Sequence, residues 1–88
     1  MDREIQRKRI TYRATHRGAK EADVVIGGFV TENIESLSNA QLDTLEVFLN
    51  CSDPDISDWL RGVPPLPVGP HLEILELLLT YQQRLLTN

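Results

Sequence analysis

Two histidines, one cysteine and three closely spaced aspartates are where chemistry would first be sought in this 88-residue sequence. A catalytic site needs a nucleophile or an acid–base pair, and a third group to orient it. His16 and His71 fall in no triad or metal spacing. Cys51 follows Phe48 and Leu49, where a small half-buried hydrophobe is a better reading than a reactive thiol. Asp53, Asp55 and Asp58 lack the glycine and closing glutamate of a calcium loop, and suit the cap and first turn of a helix instead. One cysteine allows no internal disulfide, and no Cys/His spacing suggests zinc. The expectation is therefore a protein that is not an enzyme, with no metal and no tightly bound cofactor. What remains is "HRGAKEAD", His16 to Asp23, where a basic, a bare and an acidic position (Arg17, Gly18 and Glu21) stand together. On an exposed surface, the glycine would let another protein's backbone approach closely, while Arg17 and Glu21 supply directional charged hydrogen bonds. The plainer alternative makes Gly18 a turn between two helices. Arg17 and Glu21 would then be an i,i+4 ion pair worth a few tenths of a kcal/mol.

Five helical segments are expected to position these residues, and no strand is convincing. The first, about Asp2 to Ala14, is weakly amphipathic, with Ile5 and Tyr12 expected to face inward. The second, about Ala19 to Thr31, carries Ala22, Val25, Ile26 and Phe29 at i, i+3, i+4 and i+7, a helical apolar stripe. Gly27 and Gly28 weaken a helix by roughly 1 kcal/mol each, so they imply close approach of a neighbouring helix or an early end. The third opens with "LSNAQL", where Ser38 and Gln41 make a capping box and Leu37 and Leu42 a hydrophobic staple. Leu42, Leu45, Phe48 and Leu49 form its stripe. The fourth opens with Asp53 as cap and Pro54 at the first helical position. Ile56, Trp59 and Leu60 face inward, and Gly62 is the stop. "VPPLPVGP", Val63 to Pro70, reads as an extended connector to a last helix from about His71 to Thr87. That helix carries Leu72, Leu75, Leu78, Leu79, Leu85 and Leu86. The fold class is all-α: a small five-helix bundle forming one domain over residues 1–88.

Charge is distributed unevenly. Residues 1–20 hold seven basic residues against two acids, net +5; the remainder holds two against eleven, net −9, giving −4 overall. Such asymmetry points to a partner surface, or to a basic helix lying on the protein's own acidic body. Nucleic-acid binding is the first rival, since basic residues on one short helix neutralise phosphates. The −9 body and the absence of a recognition-helix pattern weigh against it. Regulatory or toxin–antitoxin pairing of a small acidic bundle is a second. No apolar run reaches the roughly 20 residues of a membrane helix, and the start lacks a signal-peptide core. Membrane insertion is not expected, and a soluble intracellular protein is.

The stretch "RKRITYRATHRGAKEADVVIGGF", Arg7 to Phe29, resembles the signature of the small FAD assembly factors of succinate dehydrogenase, the SdhE-type family whose mitochondrial relatives are called succinate dehydrogenase assembly factor 2. The family hallmark, Arg-Gly-x-x-Glu, is met by Arg17, Gly18 and Glu21, preceded by a basic helix with Tyr12 and continued by Asp23. Asp55, Asp58, Trp59 and Gly62 also fit, so the resemblance covers about residues 7 to 62. The chain departs from the pattern at His16, where a second arginine is common, and at Ala19 and Lys20, where apolar residues are more usual. The resemblance implies a five-helix bundle that binds the flavoprotein subunit of succinate dehydrogenase, and often of fumarate reductase, and promotes covalent attachment of FAD to a histidine of that subunit. It implies partner-binding roles for Arg9, Tyr12, Arg13, Arg17, Gly18, Glu21 and Asp23, and a chaperone-like action with no FAD bound tightly by the factor itself. With no targeting segment in view, it implies a bacterial cytoplasmic member.

Overall fold

The computed structural model describes residues 3–18 and 20–87, and leaves the side chain of Glu21 undescribed; the expected helix starts at Asp2 and Ala19 lie outside the described residues. Helix α1 is Arg3–Thr15. Helix α2 (residues 20–33) is continuous but not uniform: an α-turn, Lys20–Ala22, leads into a π-helical stretch, Asp23–Gly27, and then α-helix again, Gly28–Asn33. Helices α3 (Asn39–Phe48), α4 (Asp53–Leu60) and α5 (Pro70–Thr87) complete the bundle. No strand occurs among the described residues.

Side-chain periodicity accounts for most of the packing. The expected stripe of α2 is buried at Ala22, Val25, Ile26 and Phe29, and that of α3 at Leu42, Leu45, Phe48 and Leu49. Ile56 and Leu60 of α4 and Ile74, Leu75, Leu78 and Tyr81 of α5 close the same core. Phe48 sits at its centre, fully buried, with Trp59 and His71 ring centroids each 5.7 Å away. α1 packs on the π stretch and on α3, while α5 packs on α3, α4 and the π stretch.

The inward face of α1 differs from expectation. Ile5 and Tyr12 are 60% and 64% exposed, whereas Gln6, Ile10 and Ala14 are buried. These three recur at i, i+4 and i+8, one helical face. A glutamine belongs there because its amide is satisfied: Nε2 donates to Asp43 Oδ1 (2.8 Å) and Glu46 Oε1 (3.2 Å), and Oε1 accepts from Arg3 (2.7 Å). Leu85 and Leu86, expected in the last stripe, are instead exposed beyond Tyr81, where α5 outruns the core. That helix also starts one residue early, with Pro70 tolerated in its first turn.

The helix ends follow local chemistry. Ser38 accepts from Gln41 N–H (3.1 Å) and the Gln41 side chain accepts from Ser38 N–H (2.9 Å), the full capping box. The expected cap Asp53 is displaced by Ser52, whose hydroxyl accepts from Asp55 N–H (3.2 Å); Asp53 becomes the first helical residue and Pro54 the second. At the other end of α4, Gly62 takes φ +78° and donates to Trp59 O while Val63 donates to Asp58 O, a Schellman stop.

Gly27 and Gly28 are explained by close approach. A Cβ on Gly27 would lie 3.4 Å from Ala14 O, and one on Gly28 only 2.4 Å from Tyr81 Oη, which donates to Glu32 at 2.7 Å. Gly28→Ala is expected to lower stability by about 1–3 kcal/mol through overpacking. Removing the hydroxyl in Gly28→Ala/Tyr81→Phe should restore part of that loss, read from urea unfolding midpoints.

Candidate functional site

The segment joining α1 to α2 carries the residues of the Arg-Gly-x-x-Glu pattern. Arg17 is not helical, so it does not share a helical face with residue 21; the Glu21 side chain lies outside the described residues. Gly18 adopts φ +87°, the left-handed region where a side chain costs roughly 1–2 kcal/mol. It is exposed, and a Cβ built on it meets nothing within 4 Å. The turn reading of Gly18 and the open-surface reading therefore both describe it.

Arg17 is the reverse. It was expected at the surface, yet its side chain is 8% exposed. Nε donates to Asp53 Oδ1 (2.9 Å), Nη1 to Leu49 O (2.9 Å) and Nη2 to Cys51 O (3.0 Å), with Nη2 also 2.8 Å from Asp53 Oδ1. The carbonyls lie just past the C-terminal end of α3, where a helix leaves acceptors unpaired. Asp53 lies in the first turn of α4, where a carboxylate suits the dipole. Asp23, at the start of the π stretch, accepts from the main-chain N–H of Arg17 (3.2 Å). Two residues expected to meet a partner are thus turned toward the protein itself, on either side of Gly18. Sequence pattern alone reads Asp53 as a helix cap and so misses it as the counter-ion. The Ser52-x-x-Asp55 spacing, the same as Ser38-x-x-Gln41, was the signal that released it for another role.

Before this turn, the rings of Tyr12 and His16 stack at the end of α1, centroids 4.1 Å apart and nearly parallel at 15°. His16 Nδ1 lies 2.8 Å from Tyr12 O; since a carbonyl only accepts, that nitrogen carries the proton. A groove of about 270 Å³ runs beside them, lined by Tyr12, Arg13, His16, Arg17, Leu49 and Asp53. After the turn, an apolar groove of about 340 Å³ begins at Lys20 and continues over Val24, Leu85 and Leu86.

The remaining cations of α1 are divided. Arg3 pairs with Asp43 (2.7 Å), Arg9 with Glu46, and Arg13 donates to Asn50. Arg7, Lys8 and Lys20 form no ion pair among the described residues. Hydrogen bonds from Arg9, and then from Gln6, hold the Glu46 carboxyl below the usual range, while Gln6 and then Arg3 lower Asp43. Burial, then the nearby Asp55 carboxylate, push the Cys51 thiol up, away from a reactive thiolate. No three His, Cys, Asp or Glu side chains among the described residues gather as a metal site, and no described helix is long and apolar enough to cross a membrane.

The family model described as "Flavinator of succinate dehydrogenase" matches residues 8–82. A protein named FAD assembly factor SdhE from Acetobacter pasteurianus is 44% identical over 62 residues, covering 70% of this chain and 57% of its own length. One named succinate dehydrogenase assembly factor 2, mitochondrial, from Dictyostelium discoideum is 35% identical over 71 residues, covering 81% of this chain and 50% of its own. A second FAD assembly factor SdhE, from Vibrio cholerae, is 39% identical over 57 residues, 65% of each chain. These matches span between half and two thirds of the relatives' lengths. No solved structure matches.

Because Glu46 and Asp43 titrate below their ordinary values in the folded state, their contribution is complete above about pH 5 and is lost as pH falls through the lower folded values. Arg9→Gln is expected to lower the urea midpoint at pH 7. Its deficit against wild type should shrink steadily toward pH 2, where Glu46 is protonated in both proteins.

Proposed function

The chain belongs to the family described as the flavinator of succinate dehydrogenase, and from that premise we propose that it is an assembly factor for the flavoprotein subunit of that enzyme. In this reading it binds the subunit and promotes covalent attachment of FAD to one of the subunit's histidines; the flavoprotein subunit of fumarate reductase is a second client. The observation that carries the proposal is Gly18: an exposed, left-handed, unencumbered backbone position inside the family motif, between exposed Tyr12 and exposed Lys20 along the chain. Such a position admits a partner's main chain where any side chain would hold it off. Glu21 belongs to the same docking face, Arg9 and Arg13 to its border, and Arg17 and Asp23 to its frame.

The mechanism suited to these residues is positional. Docking holds the domains of the flavoprotein so that its histidine and the flavin methyl meet, and the subunit's own groups perform the bond formation. Proximity and orientation contribute roughly 7–11 kcal/mol in favourable cases, so the factor needs no catalytic side chain. FAD is then the client's cargo. Nucleic-acid binding through α1 has less support than charge alone gave it, because Arg3, Arg9, Arg13 and Arg17 are all engaged within the chain.

The test is co-expression with a succinate dehydrogenase flavoprotein subunit in cells lacking their own assembly factor, with covalent flavin read as in-gel fluorescence after denaturing electrophoresis. Fluorescence should require the wild-type chain. Gly18→Arg and Glu21→Ala should each lower it tenfold or more, the equivalent of about 1.4 kcal/mol of docking, in proteins whose circular dichroism remains helical. The same fluorescence with and without the chain would sink the assembly role.

A further inference from the structure

We propose that Arg17 is a positioning residue that never contacts the client, and that Asp53, 36 residues away in sequence, is the other half of the same device. The inference rests on the assembly-factor reading and assigns the motif's residues different tasks within it. Its basis is the accounting of the guanidinium. Nε, Nη1 and Nη2 each already donate within the chain, to Asp53, Leu49 O and Cys51 O, and the side chain is 8% exposed. A partner could reach these donors only by displacing three acceptors that a buried cation needs. The main-chain N–H of Arg17 is held as well, by Asp23.

What that anchoring achieves is the placement of the next residue. Arg17 links three elements: the end of α1, the carbonyls past α3 and the first turn of α4. Gly18 follows directly, in a conformation that a free loop would leave for others. With Arg17 fixed at both its main chain and its side chain, Gly18 is presented at one height and angle between α1 and α2. The Arg in Arg-Gly-x-x-Glu then acts on docking through the backbone, and Asp53 acts through Arg17. Neither has to touch the client for its loss to be felt there.

The experiment is a double-mutant cycle on affinity for the isolated flavoprotein subunit, using full-length Arg17→Ala, Asp53→Ala and the double variant, alongside amide hydrogen exchange on each chain alone. Positioning predicts that each single substitution weakens binding tenfold or more, and that the double is no weaker than the worse single. Exchange at residues 18–22 should rise while that at Ile74 to Tyr81 holds. Asp53→Asn, which keeps an oxygen acceptor for Arg17 but removes its counter-charge, should bind between Asp53→Ala and wild type. Should Asp53→Ala not fold, Asp53→Ser takes its place. Ile56→Val supplies a core substitution that lowers stability without touching the turn, and it should bind normally. Binding by Asp53→Ala as tight as wild type, with Arg17→Ala impaired, would make Arg17 a contact and overturn the proposal. Exchange that rises equally throughout the core would overturn it too, by making the pair a general stabiliser. A wild-type chain that binds no flavoprotein subunit would sink the assembly reading itself, and the exchange pattern would then decide alone whether the pair holds the turn.

Discussion

A guanidinium withdrawn from water must have its hydrogen bonds restored inside the protein, and Arg17 imposes that condition on the whole of this bundle. Its charge is met by Asp53 and its remaining donors by the Leu49 and Cys51 carbonyls, so α1, α3 and α4 converge on one side chain. The arrangement also resolves two local problems. Carbonyls past the end of α3 gain a cationic donor where the helix dipole is negative, and the acidic residue opening α4 sits where the dipole is positive. An arginine suits this place better than a lysine, because its planar fork can serve several acceptors at once.

The rest of α1 repeats the arrangement more loosely along its length. Arg3 and Arg9 reach Asp43 and Glu46 on α3, Arg13 reaches Asn50 just past it, and buried Gln6 shares the same two carboxylates. A charge imbalance of +5 against −9 along the sequence is thus partly an internal seam between two helices. Arg7, Lys8 and Lys20 stay outside it among the described residues. The Tyr12 and His16 rings stack on each other near the end of α1, and Gly18 follows them, exposed and open.

The second constraint is steric. The Gly27 backbone lies against the end of α1 and Gly28 against Tyr81, so α2 is gripped on two sides at adjacent residues. Adjacent residues on an α-helix point about 100° apart, and the grip falls where the helix changes from the π stretch to α. The wider turn also starts at Asp23, the residue that holds the Arg17 main chain. Packing of the bundle and the shape of the motif turn are therefore coupled through one irregular helix.

Periodicity and capping chemistry are properties of neighbours in sequence, which is why much of the fold was legible there. The stripes of α2 and α3, the Ser38–Gln41 box, the Gly62 stop and the need for close approach at Gly27 and Gly28 are all local signals, and the motif from Arg17 to Glu21 marked the candidate site and the family. The inward face of α1 was not legible, because Gln6 is buried by virtue of acids some 40 residues away and Tyr12 is exposed by the same geometry. The direction in which Arg17 points was not legible either. An arginine beside a glycine reads as surface until three acceptors, from α4 and from the segment joining α3 to α4, are brought within 3.0 Å of it. Sequence alone determined which residues form the helices and where the motif lies. Only the tertiary structure decided which motif residues face outward, because that depends on where distant carbonyls and carboxylates come to rest.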